Sequence, residues 1–98
     1  MNSRQRATLR GLANTMDPVF QIGKGGINPN LIDQVDDCLE NRELIKISLL
    51  QSCELTTREA CDALAEAVHA EPVQCLGRRF VLYRASKENP KLDLHAIL

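Results

Sequence analysis

Apolar positions along the chain fall into helix-type and strand-type runs that alternate. Leu9, Leu12, Ala13 and Met16 stand at i, i+3, i+4 and i+7, the stripe of a helix over residues 3–14 with Ser3 as its N-cap. Asp17-Pro18 ends it, because the residue before a proline avoids helical backbone. Residues 19–22 are a short β-type run that enters Gly23-Lys24-Gly25-Gly26. Asn28 then caps a second helix with Pro29 at its first position. Leu31, Ile32, Val35, Cys38 and Leu39 form the stripe of that helix, and Asp33, Asp36, Asp37 and Glu40 lie mostly away from it, toward solvent. Residues 44–49 alternate with period two, Ile45, Ile47 and Leu49 on one face and Lys46 and Ser48 on the other. Thr56 and Glu59 form a capping box that opens a third helix to about Ala70. Its stripe of Cys61, Leu64 and Val68 is padded by alanine, which favours close packing on a sheet. Residues 72–76 and 79–83 flank Gly77-Arg78, a hairpin with a glycine-first turn.

The order α-β-α-β-α-β-β predicts an α/β fold of two layers with a four-stranded mixed sheet. Right-handed strand–helix–strand units make the sheet mainly parallel, closed by one antiparallel strand. Ninety-eight residues suffice for one domain, placed at residues 1–86, and the SKENPKLDLHAIL composition predicts a loosely held tail over 87–98. No apolar run approaches the ~18 residues of a membrane span. The first residues have arginines but no apolar core of an export signal, so a cytoplasmic location is expected.

The net charge of −1 does not by itself suggest a polyanion partner. Its distribution changes the picture. Arg4, Arg6, Arg10 and Lys24 face only Asp17 within residues 1–27, and Arg78, Arg79 and Arg84 meet no acid within 72–84. Between them, residues 28–43 and 56–71 are acidic blocks. A fold that joins the basic blocks would be electrically two-sided. Cys38, Cys53, Cys61 and Cys75 show no C-x-x-C and no neighbouring histidine, so no metal site is expected and the thiols read as reduced and mostly buried.

The glycine segment joins a strand to a helix N-terminus, where unpaired N–H groups and the positive end of the dipole favour a phosphate. It is not a Walker A loop, since Lys24 precedes the last glycines and no Ser or Thr follows. It is not a dinucleotide fingerprint either, since Asn28 stands at the last glycine position. It does fit G-x-x-G, which clamps a nucleic-acid backbone in KH domains. Taken alone, the loop is equally readable as a turn without a ligand.

The string PVFQIGKGGINPNLI, then LIKISLL, the hairpin ending in LYR and SKENPK after it, closely resemble the YhbY family over about residues 2–92. This family is the bacterial stand-alone form of the CRM domain, named for chloroplast RNA splicing and ribosome maturation. The resemblance implies an RNA-binding domain whose GxxG loop contacts RNA and whose bacterial members associate with precursors of the large ribosomal subunit. It also implies a fold like the C-terminal domain of translation initiation factor three. The family's loop falls on Gly23, Lys24, Gly25 and Gly26, its basic first helix on Arg4, Arg6 and Arg10, and its closing-strand arginine on Arg84. The isoelectric point of about 6.1 departs from that pattern.

The expected contact set is this loop with Asn28, the arginines of the first helix, and Arg78, Arg79 and Arg84. The charged residues also have a plainer reading as solvated surface, and Tyr83 reads as packing because aromatics are too few for a stacking platform. No nucleophile–base pair or paired carboxylates stand out, so an enzyme and a cofactor are not expected. The expectation is a monomer that binds ribosomal RNA, with ribosomal proteins as further partners and neither membrane nor small-molecule substrate. The competing expectation is an adaptor whose acidic helices dock basic ribosomal proteins.

Overall fold

A computed structural model describes residues 1–90. Its elements are α1 (Ser3–Ala13), β1 (Phe20–Ile22), α2 (Pro29–Arg42), β2 (Leu44–Leu49), α3 (Thr57–Val68), β3 (Glu71–Leu76) and β4 (Arg79–Tyr83). The expected order therefore holds. The cap of α1 does not. Asn2 Oδ1 accepts from the Gln5 N–H and Gln5 Oε1 accepts from the Asn2 N–H, a reciprocal box that leaves Ser3 inside the helix. Leu12 is 46% exposed, so the α1 stripe narrows to Leu9 and Ala13, with Met16 packing from beyond the helix end.

The sheet order is β1-β2-β4-β3. β1 pairs parallel with β2, whereas β4 runs antiparallel to both β2 and β3. Three strands do point one way, but the antiparallel strand lies inside the sheet instead of closing its edge, so only one of the pairings is parallel. Composition explains the placement. Phe80, Val81, Leu82 and Tyr83 are all buried, which requires cover on both faces and both edges. β3 carries Pro72, which cannot donate to a ladder, and an irregularity between Pro72 and Gln74, both tolerated at an edge.

Helices cover both faces, which replaces the expected two layers with three. Ile22, Ile45, Ile47, Leu49, Phe80 and Leu82 pack against Val35 and Leu39 of α2 and Cys61, Leu64 and Val68 of α3. On the other face Leu44, Val73, Val81 and Tyr83 meet Leu9 and Ala13 of α1. In α3, Ala60 and Ala65 lie in the interface as expected, while Ala63 and Ala67 are exposed. Among the described residues no helix is long and apolar enough to cross a membrane.

The expected tail begins in a held segment. Glu43, fully buried, accepts from the Ser86 N–H at 2.8 Å, and Glu40 accepts from the Ser86 hydroxyl at 2.6 Å and from the Lys87 N–H. Leu92, Leu94, Ile97 and Leu98 lie outside the described residues.

Candidate nucleic-acid interface

The carboxyl ends of β1, β2 and β3 gather the chemistry. The loop after β1, the N-terminus of α2, the loop after β2, the N-terminus of α3 and the 77–78 turn all lie at that end. Leu50 N–H donates to Ile22 O, and the Thr57 hydroxyl donates to Gly77 O at 2.7 Å. Strand carboxyl ends are where open α/β sheets place ligands.

Within the loop, the Gly26 N–H donates to Gly23 O at 3.0 Å, closing a turn with Lys24 at its exposed tip. Two of the three glycines are held by the fold, each for its own reason. Gly26 has φ of +62°, a conformation that L side chains rarely adopt. A Cβ at Gly23 would stand 3.4 Å from both Leu50 Cδ1 and Ser52 Oγ, so the turn sits close on the loop after β2. Gly25 has neither constraint: its φ is ordinary and a Cβ there would meet open space. Nothing in the fold requires glycine at 25, yet its absent side chain leaves the turn backbone bare at a helix N-terminus.

Asn28 caps α2 as expected, its Oδ1 accepting from the Leu31 N–H at 2.8 Å, with Pro29 behind it. The first turn of α2 carries no acid. Beside the turn is a recess of about 240 Å³ lined by Gln21, Ile22, Gly23, Gly25, Gly26, Asn28, Asn30, Leu31 and Gln34. No carboxylate lines it. Asp36, one of the acids of α2, is turned toward Arg84 instead.

The remaining cations divide. The Arg78 guanidinium donates to Leu49 O and Leu50 O, so it ties the hairpin turn to the end of β2, on the stretch against which Gly23 packs. Arg79 is exposed beside it at the start of β4. Arg84, with a side chain only 11% exposed, donates to Asp36 Oδ1, Asp36 O and Val68 O; it links β4 to α2 and α3 and does not join the expected surface. Arg4 is exposed near the start of α1. Arg6 and Arg10 lie at the far edge of the sheet from the loop, lining a groove of about 520 Å³ along residues 72–76. Sequence reasoning missed the third cation there: Arg58, from an acidic stretch of α3, lines the same groove. No local pattern reports that, because the groove is assembled from α1, α3 and β3. Arg6 is 3.8 Å from Glu71 and Arg58 3.5 Å from Asp62, and the buried Arg6 Nε has no partner among the described residues.

The thiols are unpaired; Cys53 and Cys61 are buried and Cys38 and Cys75 half-buried. Burial, followed by the nearby Cys75 and Asp62, pushes the Cys61 thiol up to about 11, which keeps it protonated and unreactive at neutral pH. Tyr83 is buried, in keeping with a packing role.

Against known proteins, residues 1–84 match the CRS1 / YhbY (CRM) domain. YqeI of Bacillus subtilis (strain 168), which bears an RNA-binding name, is 43% identical over 94 residues, 96% of this chain and 98% of that protein. A Haemophilus influenzae protein named as RNA-binding is 30% identical over 88 residues, 90% of this chain and 89% of its own. The solution structure of SAV1595 from Staphylococcus aureus, described as a candidate RNA-binding protein, superimposes with a TM-score of 0.78 at 49% identity, covering 95% of this chain and 97% of that one. The sequence motif, the fold and these matches agree, and the chain belongs to the CRS1/YhbY (CRM) domain family.

Proposed function

We propose that this protein is a non-catalytic RNA-binding protein, cytoplasmic and monomeric, that joins precursors of the large ribosomal subunit and assists their assembly. The Gly23–Gly26 turn and the α2 N-terminus hold the RNA backbone, and Lys24 supplies charge. The observation that carries this reading is Gly25. It is a glycine for which the fold has no use, in a turn at a helix N-terminus without an acid in its first turn. Arg79 and the Arg6–Arg10–Arg58 groove extend the contact, so cations stand at both edges of the sheet around the same molecule. The ribosomal part of the reading rests on the family resemblance.

The adaptor reading draws on the acids of α2 and α3. Two of those it needs are engaged internally, Asp36 with Arg84 and Glu40 with residues 86–88, which leaves less of the acidic face to meet a basic partner.

The test is binding of ribosomal RNA fragments across a salt series. Lys24→Ala should lower the slope of log affinity against log salt by about 0.7–0.9, the loss of one phosphate contact, equally for different sequences. Gly25→Asp should bind worse still while folding normally. Unchanged affinity and slope in both variants would make the loop a turn only. Sedimentation of a cell lysate, with the protein travelling among large-subunit precursors, tests the assembly role; a protein found wholly in the free fraction contradicts it.

A further inference from the structure

The recess beside the glycine turn is lined by Gly23, Gly25 and Gly26 of the turn together with side chains that carry no charge. Lys24 does not line it, and neither does any other cation. Those side chains are carboxamide and apolar: Gln21 of β1, Asn28 at the cap of α2, and Asn30 and Gln34 from its first two turns, with Ile22 and the half-buried Leu31. Asn30 and Gln34 are four residues apart, hence neighbours on one flank of the helix. Asn28 Oδ1 is committed to the cap, whereas the exposed amides of Asn30 and Gln34 have no hydrogen-bond partner among the described residues. An amide presents a donor and an acceptor side by side, which is the pattern on the edge of a nucleobase. A volume of about 240 Å³ is several times that of a water and suits one flat heterocycle.

We infer that this recess receives one unpaired nucleobase, that of a nucleotide whose backbone lies on the Gly23–Gly26 turn, with Asn30 and Gln34 hydrogen-bonding its polar edge. The inference rests on the backbone-clamp reading and narrows it: the RNA target is single-stranded at this point. A paired base cannot enter, because its edge is occupied by its partner and the major groove of an A-form helix is too narrow for side chains to read. The turn supplies charge and shape, and the recess supplies selection between unpaired and paired RNA.

The test compares a single-stranded RNA oligonucleotide with the same strand annealed to its complement, both titrated by fluorescence anisotropy over a salt series. The protein should prefer the single strand by about tenfold or more. Asn30→Ala/Gln34→Ala, exposed helix positions where alanine favours the helix, should lose most of that preference without changing the salt slope. Lys24→Ala should do the reverse, lowering the slope and keeping the preference. Equal binding of duplex and single strand, or a full preference retained in the double variant, overturns the base recess while leaving the backbone clamp standing. Unaltered binding in Lys24→Ala with a lost preference in the double variant removes the clamp and keeps the recess. A protein that binds neither RNA at low salt removes both.

Discussion

At the scale of single residues, glycine and arginine show how one residue type can serve structure at one position and ligand at another. Gly26→Ala places a side chain at positive φ and should cost about 1–2 kcal/mol of stability in a denaturant titration. Gly25→Ala, at ordinary φ with open space around it, should leave stability unchanged or raise it by about 0.4–1 kcal/mol, while weakening RNA binding. A Gly25→Ala that unfolds the domain, or that binds RNA as before, is inconsistent with an open backbone face there. Arg84→Ala removes charge-assisted hydrogen bonds to Asp36 and Val68 and should cost about 2 kcal/mol, with RNA affinity of the folded protein unchanged. Arg79→Ala, exposed, should do the opposite: stability within about 0.5 kcal/mol and a reduced salt slope. The sequence announces that these arginines are basic and near one another along the chain. It does not say which points inward, because that depends on where the end of β4 meets α2 and α3.

At the scale of elements, local signals were legible and tertiary pairings were not. Asn28-Pro29, Thr56 with Glu59, and Gly77-Arg78 each encode a boundary through contacts within a few residues, and each boundary falls where that chemistry places it. The position of β4 inside the sheet is a competition among strands for cover, settled by its four consecutive buried residues against the proline-bearing β3. The clamp on residues 86–89 was equally hidden, since Glu40 and Glu43 lie more than 40 residues earlier in the chain. That clamp has a pH dependence. The Ser86 hydroxyl, and after it the Lys87 N–H, hold the Glu40 carboxyl below its ordinary value. A carboxylate lowered in the folded state stabilises above the ordinary carboxylate pKa, and that contribution is lost as pH falls through the lowered value. Amide exchange at Lys87 and Glu88, whose N–H groups donate to Glu40, should therefore accelerate, relative to the intrinsic rate, as the solution is acidified below the usual carboxylate range. Glu40→Gln should show fast exchange at those amides already at neutral pH. Exchange that is slow in the variant and indifferent to acid would mean that the carboxylate does not hold the segment. Glu59, lowered by the Thr56 N–H and then its hydroxyl, should make the N-terminus of α3 fray over the same acid range.

At the scale of the whole molecule, the near-neutral charge balance conceals a spatial separation. Sequence blocks indicated that cations and acids alternate; the fold sends the glycine turn and the Arg6–Arg10–Arg58 groove to opposite edges of the sheet. Two footholds at that separation suit a chain of phosphates better than one small anion, and the glycine turn is the first of them. The most direct measurement is an NMR titration of the isotope-labelled protein with single-stranded RNA. The largest amide shifts should fall at Gly23–Gly26 and over the first turn of α2, with a second set along residues 72–76 and none along the outer face of α3. Shifts concentrated on the exposed acidic positions of α2 and α3, with the amides of Gly25 and Gly26 unmoved at saturation, would contradict a clamp at the turn.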